Sequence, residues 1–307
     1  MTEQTTRPPL EIPRISQISR EEFLREYEQK GRPVIIENQV GWDALDVFTP
    51  QWFKQNLGDL RFNAVVKLPT VGAPGFEYVD TALRNVSLAE FVDMMEESPD
   101  PCYIRQSNVK NFPGCEEYFD FADLVPLEGL ESVPNLWLGS SNTKSSLHFD
   151  QNSSLFVQAY GHKRVKLYAP QDAKFLYPFP DNIGTSQVDP YNPDLAAHPL
   201  FAQAQCYEAV IGPGDFLLIP KTWWHQLTSL DPSISINCFY GVKSSIFALL
   251  RVINAAGVKS WWSVIRDFFW LGLLARPYRT KLLAETPTGK YFYELLTGAL
   301  KRRLGQH

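Results

Sequence analysis

Between Asn135 and Tyr240 the chain is a succession of short apolar runs separated by turn residues, and this rhythm restricts its fold more than any other feature. Leu136–Leu138, Leu155–Tyr160, Val165–Tyr168, Phe216–Ile219 and Ile234–Tyr240 are all of strand length, and turns such as Gly212-Pro-Gly-Asp215 punctuate them. Runs of this size and spacing predict a β-sandwich or small barrel, because helices need longer periodic stretches to present a packing face. Pro170 to Gln205 breaks the rhythm. It is too long for a hairpin and reads as a large insertion, the kind of excursion that often carries function.

The flanks have a different texture. Residues 1–14 are polar and Pro-rich. Ser19 is placed to cap a helix beginning at Arg20, with Glu22 at the capping-box position, and Ser87 with Glu90 repeats that pattern. Val34–Glu37, Arg61–Lys67 and Cys102–Gln106 read as strands, 49–56 as a helix and Pro69–Gly75 as a turn-rich loop. After Gly241 the pattern becomes helical over 245–256, 260–275 and 290–304, with breaks at Gly257, Pro277 and Pro287. The organisation expected is therefore α/β elements over 1–101, a β core over 102–242 with its insertion at 170–205, and a helical region over 243–307.

Charge separates the last region from the rest. Residues 243–307 hold eleven Lys/Arg and three Asp/Glu, whereas 1–242 hold 18 and 31, so a basic tail follows an acidic body. Within the tail, 259–276 is rich in Trp and Phe between basic residues. Such a stretch can pack in a dimer or core, or lie in a membrane interface. No apolar run is long enough to span a bilayer, and no nucleic-acid-binding motif is present. Cys102, Cys115, Cys206 and Cys238 are widely spaced, without a CxxC pair, which argues against a disulfide framework or zinc–thiolate site. With no apolar leader at the N-terminus, a cytoplasmic protein is expected.

Within the β region, His148 and Asp150 are two residues apart, so on a strand both side chains leave one face. Alone such a pair is more often a polar surface pair or a satisfied core contact than a metal site. His225, in Pro220-Lys-Thr-Trp-Trp-His225, supplies a third ligand type on a later strand-like run. Two His and one carboxylate on one face of a metal, with other positions open, is the non-haem Fe(II) oxygenase arrangement. His162, His198 and His307 read as surface residues.

Two further residues stand out by parity. In Lys163-Arg-Val-Lys-Leu-Tyr168, Lys163 shares a face with Val165 and Leu167. A lysine there either snorkels to solvent from the strand end or meets an anion, since burying an unpaired ammonium is costly. Asn237 falls with Ser235 and Phe239 on one side of the last strand, where it needs polar partners if it faces a barrel interior.

Taken together, His148-Phe-Asp150, Gly161-His-Lys-Arg164, Leu176-Tyr-Pro-Phe-Pro180, Ser186-Gln-Val-Asp189, Tyr207 to Asp215, Ile219 to His225 and Ile236-Asn-Cys-Phe-Tyr-Gly241 resemble the Jumonji-C, cupin-like class of Fe(II)- and 2-oxoglutarate-dependent oxygenases. Within it, the likeness is strongest to the asparaginyl hydroxylase of the hypoxia-inducible factor. The resemblance implies a mainly β double-stranded β-helix (jelly-roll, cupin) core, with His148, Asp150 and His225 as iron ligands. It implies Lys163 on the distal carboxylate of 2-oxoglutarate, assisted by Ser145 and Tyr103, with Asn237 near the cosubstrate. The implied reaction uses O2 to hydroxylate an unactivated C–H of a protein or peptide, or of a small molecule. The implied tail is a dimerisation element. Ser154 and Phe239 stand where that hydroxylase has Asn and Trp, which sets its substrate apart from this chain's. N-methyl-lysine demethylation and a non-redox metal-binding cupin are the competing readings.

Overall fold

The computed structural model describes residues 6–37, 41–66, 83–127, 133–180, 182–241, 246–276 and 287–303. The loop expected at 69–75, Pro277 and His307 lie outside them. Fourteen strands are present among the described residues. Those before the core are β1 (Leu10–Glu11), β2 (Arg14–Ser16), β3 (Val34–Glu37), β4 (Arg61–Val66), β5 (Leu83–Ser87), β6 (Cys102–Asn108) and β7 (Asn135–Gly139). The core strands are β8 (His148–Phe149), β9 (Ser153–Tyr160), β10 (Lys163–Tyr168), β11 (Cys206–Ile211), β12 (Phe216–Ile219), β13 (Trp224–Ser229) and β14 (Ser233–Tyr240).

They form a sheet of five, β1-β11-β10-β13-β8, and a sheet of nine, β2-β3-β12-β9-β14-β7-β6-β4-β5. Along the chain from β8 to β14 nearly every connection changes sheet, and only β10 to β11 stays within one. This alternation makes a mainly β core of two facing sheets, the sandwich or small barrel that the run spacing predicted and the jelly roll that the resemblance implied. The turns must be tight where the chain crosses over. At the β9–β10 corner Gly161 has φ +71°, and a Cβ there would stand 2.2 Å from the carbonyl oxygen of Pro232, so only glycine fits. The β10–β11 connection is the expected insertion, which folds as two 3-10 segments, Pro170–Phe175 and Pro199–Gln203, over the outer face of the smaller sheet.

Alternation sorts the side chains. The space between the sheets is filled by Ile35, Phe156, Val165, Leu167, Leu217 and Ile219. The other face of the larger sheet packs through Leu136, Leu138, Ile234 and Ile236 against N-terminal aromatics, among them Phe48, Phe53 and Phe91. The helices there begin where their caps predict. Ser19 Oγ accepts from Glu22 N at 3.2 Å, and Thr49 Oγ1 accepts from Trp52 N at 3.1 Å before the helix Pro50–Leu57. A complete capping box joins Ser87 and Glu90 at the helix Leu88–Glu97.

The tail forms the helices Ile246–Ala256, Val258–Asp267 (continuing as a wider turn to Leu273) and Thr288–Arg303. Leu249, Val252 and Ile253 pack with Leu176 and Trp224 against the insertion. Thr288 Oγ1 accepts from Ile183 N, and Tyr291 donates its hydroxyl hydrogen to Gln151, beside Asp150. The opposite side carries exposed Val258, Trp262, Ile265, Phe269 and Leu273 as a stripe along one face. None of the described helices is long and apolar enough to cross a membrane.

Candidate metal centre

His148 and His225 are directly opposed in the β8–β13 ladder, with ring centroids 4.3 Å apart. Asp150 follows β8 directly, and its Oδ2 lies 3.4 Å from His225 Nε2. One donor atom from each of the three lies within 4.8 Å of the others. Two backbone hydrogen bonds hold the geometry. Asp150 C=O accepts from Thr222 N at 2.9 Å, and Phe149 N donates to Gly184 O at 2.9 Å. Behind them Phe149 packs edge-on against the fully buried Trp224, with ring centroids 5.0 Å apart.

The imidazole tautomers follow from their partners. His148 Nδ1 is 2.7 Å from the carbonyl oxygen of Ser146, and His225 Nδ1 is 3.0 Å from that of Trp223. A carbonyl oxygen only accepts, so each Nδ1 carries the proton and each Nε2 presents a lone pair, the state an imidazole needs to bind a metal. Thus the backbone of Trp223, rather than the bulk of its ring, orients His225. Burial works to raise the Asp150 pKa, but the hydrogen bond and charge of His225 and the charge of His148, which act while their Nε2 atoms carry protons, outweigh it and hold the pKa below the usual carboxylate range; a bound cation takes the place of those protons. Two neutral imidazoles and one carboxylate fit an Fe(II) ion with positions left for exogenous ligands.

Lys163 is 2% exposed and shares a face with Val165 and Leu167, as its parity predicted. The ladder places Leu167 opposite His225 and Lys163 opposite Ser229, so the lysine and the histidine look into one interior. Its Nζ lies 5.2 Å from the Phe156 ring and 5.9 Å from that of Tyr103. Burial alone pushes its pKa down to about 7. Burial also raises the Tyr103 phenol. The same interior therefore offers a cation and a hydroxyl at one end and a metal-ligand set at the other.

Asn237 is buried and satisfied from both sides. Its Oδ1 accepts from Trp137 Nε1 at 2.7 Å, and its Nδ2 donates to Ser154 Oγ at 3.0 Å. Ser145 Oγ accepts from Leu227 N at 3.1 Å, which seats it on the inner edge of β13. Sequence reasoning passed over Phe156, which packs against Lys163, and the buried pair in which Ser235 donates to Gln158 at 2.8 Å. Their signal was parity with Asn237 and Lys163, but strands buried on both faces do not show which side is interior. Of the histidines read as surface residues, His162 is exposed and pairs with Asp231. His198 differs: it is half-buried, edge-on to Tyr177 at 4.7 Å.

Comparison with known proteins agrees with this architecture. The profile of the cupin-like domain matches residues 19–245. Over 251 residues the chain is 32% identical to lysine-specific demethylase 8 of Danio rerio, covering 78% of this chain and 60% of that protein. It is 25% identical over 259 residues to tRNA wybutosine-synthesizing protein 5 of Gallus gallus, covering 78% and 79%. It is 37% identical over 115 residues to HSPB1-associated protein 1 of Homo sapiens, covering 36% and 23%. The chain belongs to the family of cupin-like domains. It spans 60% of the length of the Danio rerio demethylase and 52% of that of its Xenopus tropicalis counterpart.

Proposed function

We propose that the chain is an Fe(II)- and 2-oxoglutarate-dependent dioxygenase that hydroxylates an unactivated C–H on a protein or peptide side chain. The observation that carries this reading is the pair of Nδ1–carbonyl hydrogen bonds, which turn two imidazole lone pairs and one carboxylate towards a common point. Iron held there would supply activation of O2 coupled to oxidative decarboxylation of 2-oxoglutarate, with succinate and CO2 as co-products.

The chain's own residues have distinct tasks. His148, Asp150 and His225 would hold the metal. Lys163 lies four residues along β10 from the position opposite His225, or ~13 Å at strand rise. A lysine side chain and an elongated dicarboxylate together cover that span. Lys163 and Tyr103 would hold one carboxylate of 2-oxoglutarate, leaving its 2-oxo acid end for the metal. Ser145 and Asn237 are assigned to the same site, with Asn237 fixed by Trp137. Phe156, Val165 and Leu167 exclude water around the anion, which strengthens its attraction to the ammonium.

N-methyl-lysine demethylation uses the same chemistry on a methyl group and releases formaldehyde; relatives named lysine-specific demethylase favour it as the second reading. A mass-spectrometric screen of peptide libraries with iron and 2-oxoglutarate separates the two. Hydroxylation gives a product heavier by one oxygen atom, demethylation gives one lighter by a methylene plus formaldehyde, and no peptide-dependent succinate would overturn both.

A further inference from the structure

β4 and β6 separate as they run away from Tyr103. Their ladder is formed at Val65↔Tyr103 and Val66↔Cys102, yet β4 extends back to Arg61 and β6 forward to Asn108. The reason lies in β6. Between Ile104↔Leu138 and Ser107↔Leu136 its pairing with β7 shifts register, so Arg105 and Gln106 together stand opposite Trp137. Gln106 takes φ +46°, a left-handed conformation that side chains other than glycine rarely adopt. Such a bulge bends its strand and re-aims side chains, and bulges concentrate beside active sites.

The result is a wedge between the two strands with a volume of ≈560 Å³, lined by Arg61, Asn63, Arg105, Gln106, Asn108 and Asn111. Paired residues of neighbouring strands share a face, so Arg61, Asn63 and Val65 lie on the side of Tyr103, Gly139 and Trp137. This is the side turned towards the metal. Inside the barrel that side is apolar, but the interior cluster has no member from β4, β5 or β6 among the described residues. Beyond Tyr103 the same face emerges into solvent and turns polar, with Arg61, Asn63, Asn85 and Arg105 exposed. Arg105 follows Tyr103 by two residues, ~7 Å along the strand.

The polar groups are pre-positioned. Arg61 donates from Nε to Asn85 Oδ1 at 2.7 Å and from Nη2 to Asn85 O at 3.1 Å, while Asn85 Nδ2 donates to Asn63 Oδ1 at 2.9 Å. No acidic side chain is among the described residues lining the wedge. Glu90, which feels the charge of Arg61, is engaged in the capping box with Ser87.

We infer that this wedge is a recognition site for an extended, acidic segment of polypeptide, with Arg61 and Arg105 taking its carboxylates and Asn63 and Gln106 its backbone groups. It deepens the oxygenase reading, and rests on it only in treating the bound segment as substrate. Two guanidiniums match one or two carboxylates, as bidentate pairs. A polynucleotide would instead meet a body of 18 basic and 31 acidic residues over 1–242.

The test is fluorescence anisotropy on the full chain, with and without iron, using a labelled peptide of alternating Glu and Ser. Its Gln–Ser and Lys–Ser counterparts and a single-stranded oligonucleotide serve as competitors. The acidic peptide is expected to bind at least about tenfold tighter than the other peptides. That preference should weaken with salt and be lost in an Arg61→Glu/Arg105→Glu protein. Arg105→Gln, milder for folding, should weaken binding part-way, with melting temperatures confirming that both variants fold. Equal binding of the peptides, stronger binding of the oligonucleotide, or an acidic preference that survives in folded charge-reversed protein would overturn the inference. Because binding is read without turnover, its failure is separate from any failure of the oxygenase reading, which is decided by succinate formation.

Discussion

His148 and His225 are 77 positions apart in sequence and directly opposed in space, paired across β8 and β13 with each Nδ1 bonded to a main-chain carbonyl. The ladder brings the two rings together, and the carbonyls decide which nitrogen each ring offers. Asp150, one residue beyond β8, completes the set.

Removing one donor should therefore empty the centre rather than merely slow it. Asp150→Ala and His225→Ala proteins are expected to lose visible-band Co(II) uptake and succinate formation while keeping a folded circular dichroism spectrum. Retained Co(II) binding at wild-type affinity would refute the assignment.

Lys163 makes a prediction about pH. Its pKa is about 7 in the folded protein and near its ordinary value of 10.5 when unfolded, with burial as the cause. Between these values the unfolded chain binds the extra proton, so stability rises with pH across that window, by up to ~1.4 kcal/mol per pH unit. Below about pH 7 both states are protonated and the full cost of burying the ammonium is present. Thermal unfolding from about pH 7 to 8.5, below the range in which buried cysteines and tyrosines of raised pKa act with the opposite sign, should show this slope in the wild type, and Lys163→Met should remove it. The same variant should require on the order of a hundredfold more 2-oxoglutarate, since it loses a buried charge pair.

Trp137→Phe deletes the donor to Asn237 Oδ1 and leaves a buried oxygen without its partner. The expected cost is ~1–3 kcal/mol by urea denaturation. No loss of stability would mean that Asn237 finds another donor.

The capping box at Ser87 is a local device remote from the metal centre. Ser87→Ala should cost ~1 kcal/mol through the helix Leu88–Glu97. Its affinity for Co(II) should stay at the wild-type value.

The features legible in the sequence are those set by neighbouring residues. Caps at Ser19 and Ser87 act over three positions, and the helix break at Gly257 is a property of one residue with φ +90°. Parity along β10 separated buried Lys163, Val165 and Leu167 from exposed Arg164, because alternation is built into an extended backbone. β5 was not legible: Leu-Arg-Asn-Val-Ser lacks the apolar rhythm and is a strand because β4 offers it a ladder. Nor does sequence contain the register slip that sets Arg105 and Gln106 side by side, which arises only when β6 meets β7. Local chemistry thus named the residue types of the centre and one face of its strands. The proton on each histidine Nδ1 is set just as locally, by a carbonyl two residues away, that of Ser146 or Trp223. Which partners those faces meet and how far Lys163 is stripped of water are decided by contacts between distant segments, and those exist only once the two sheets have closed on each other.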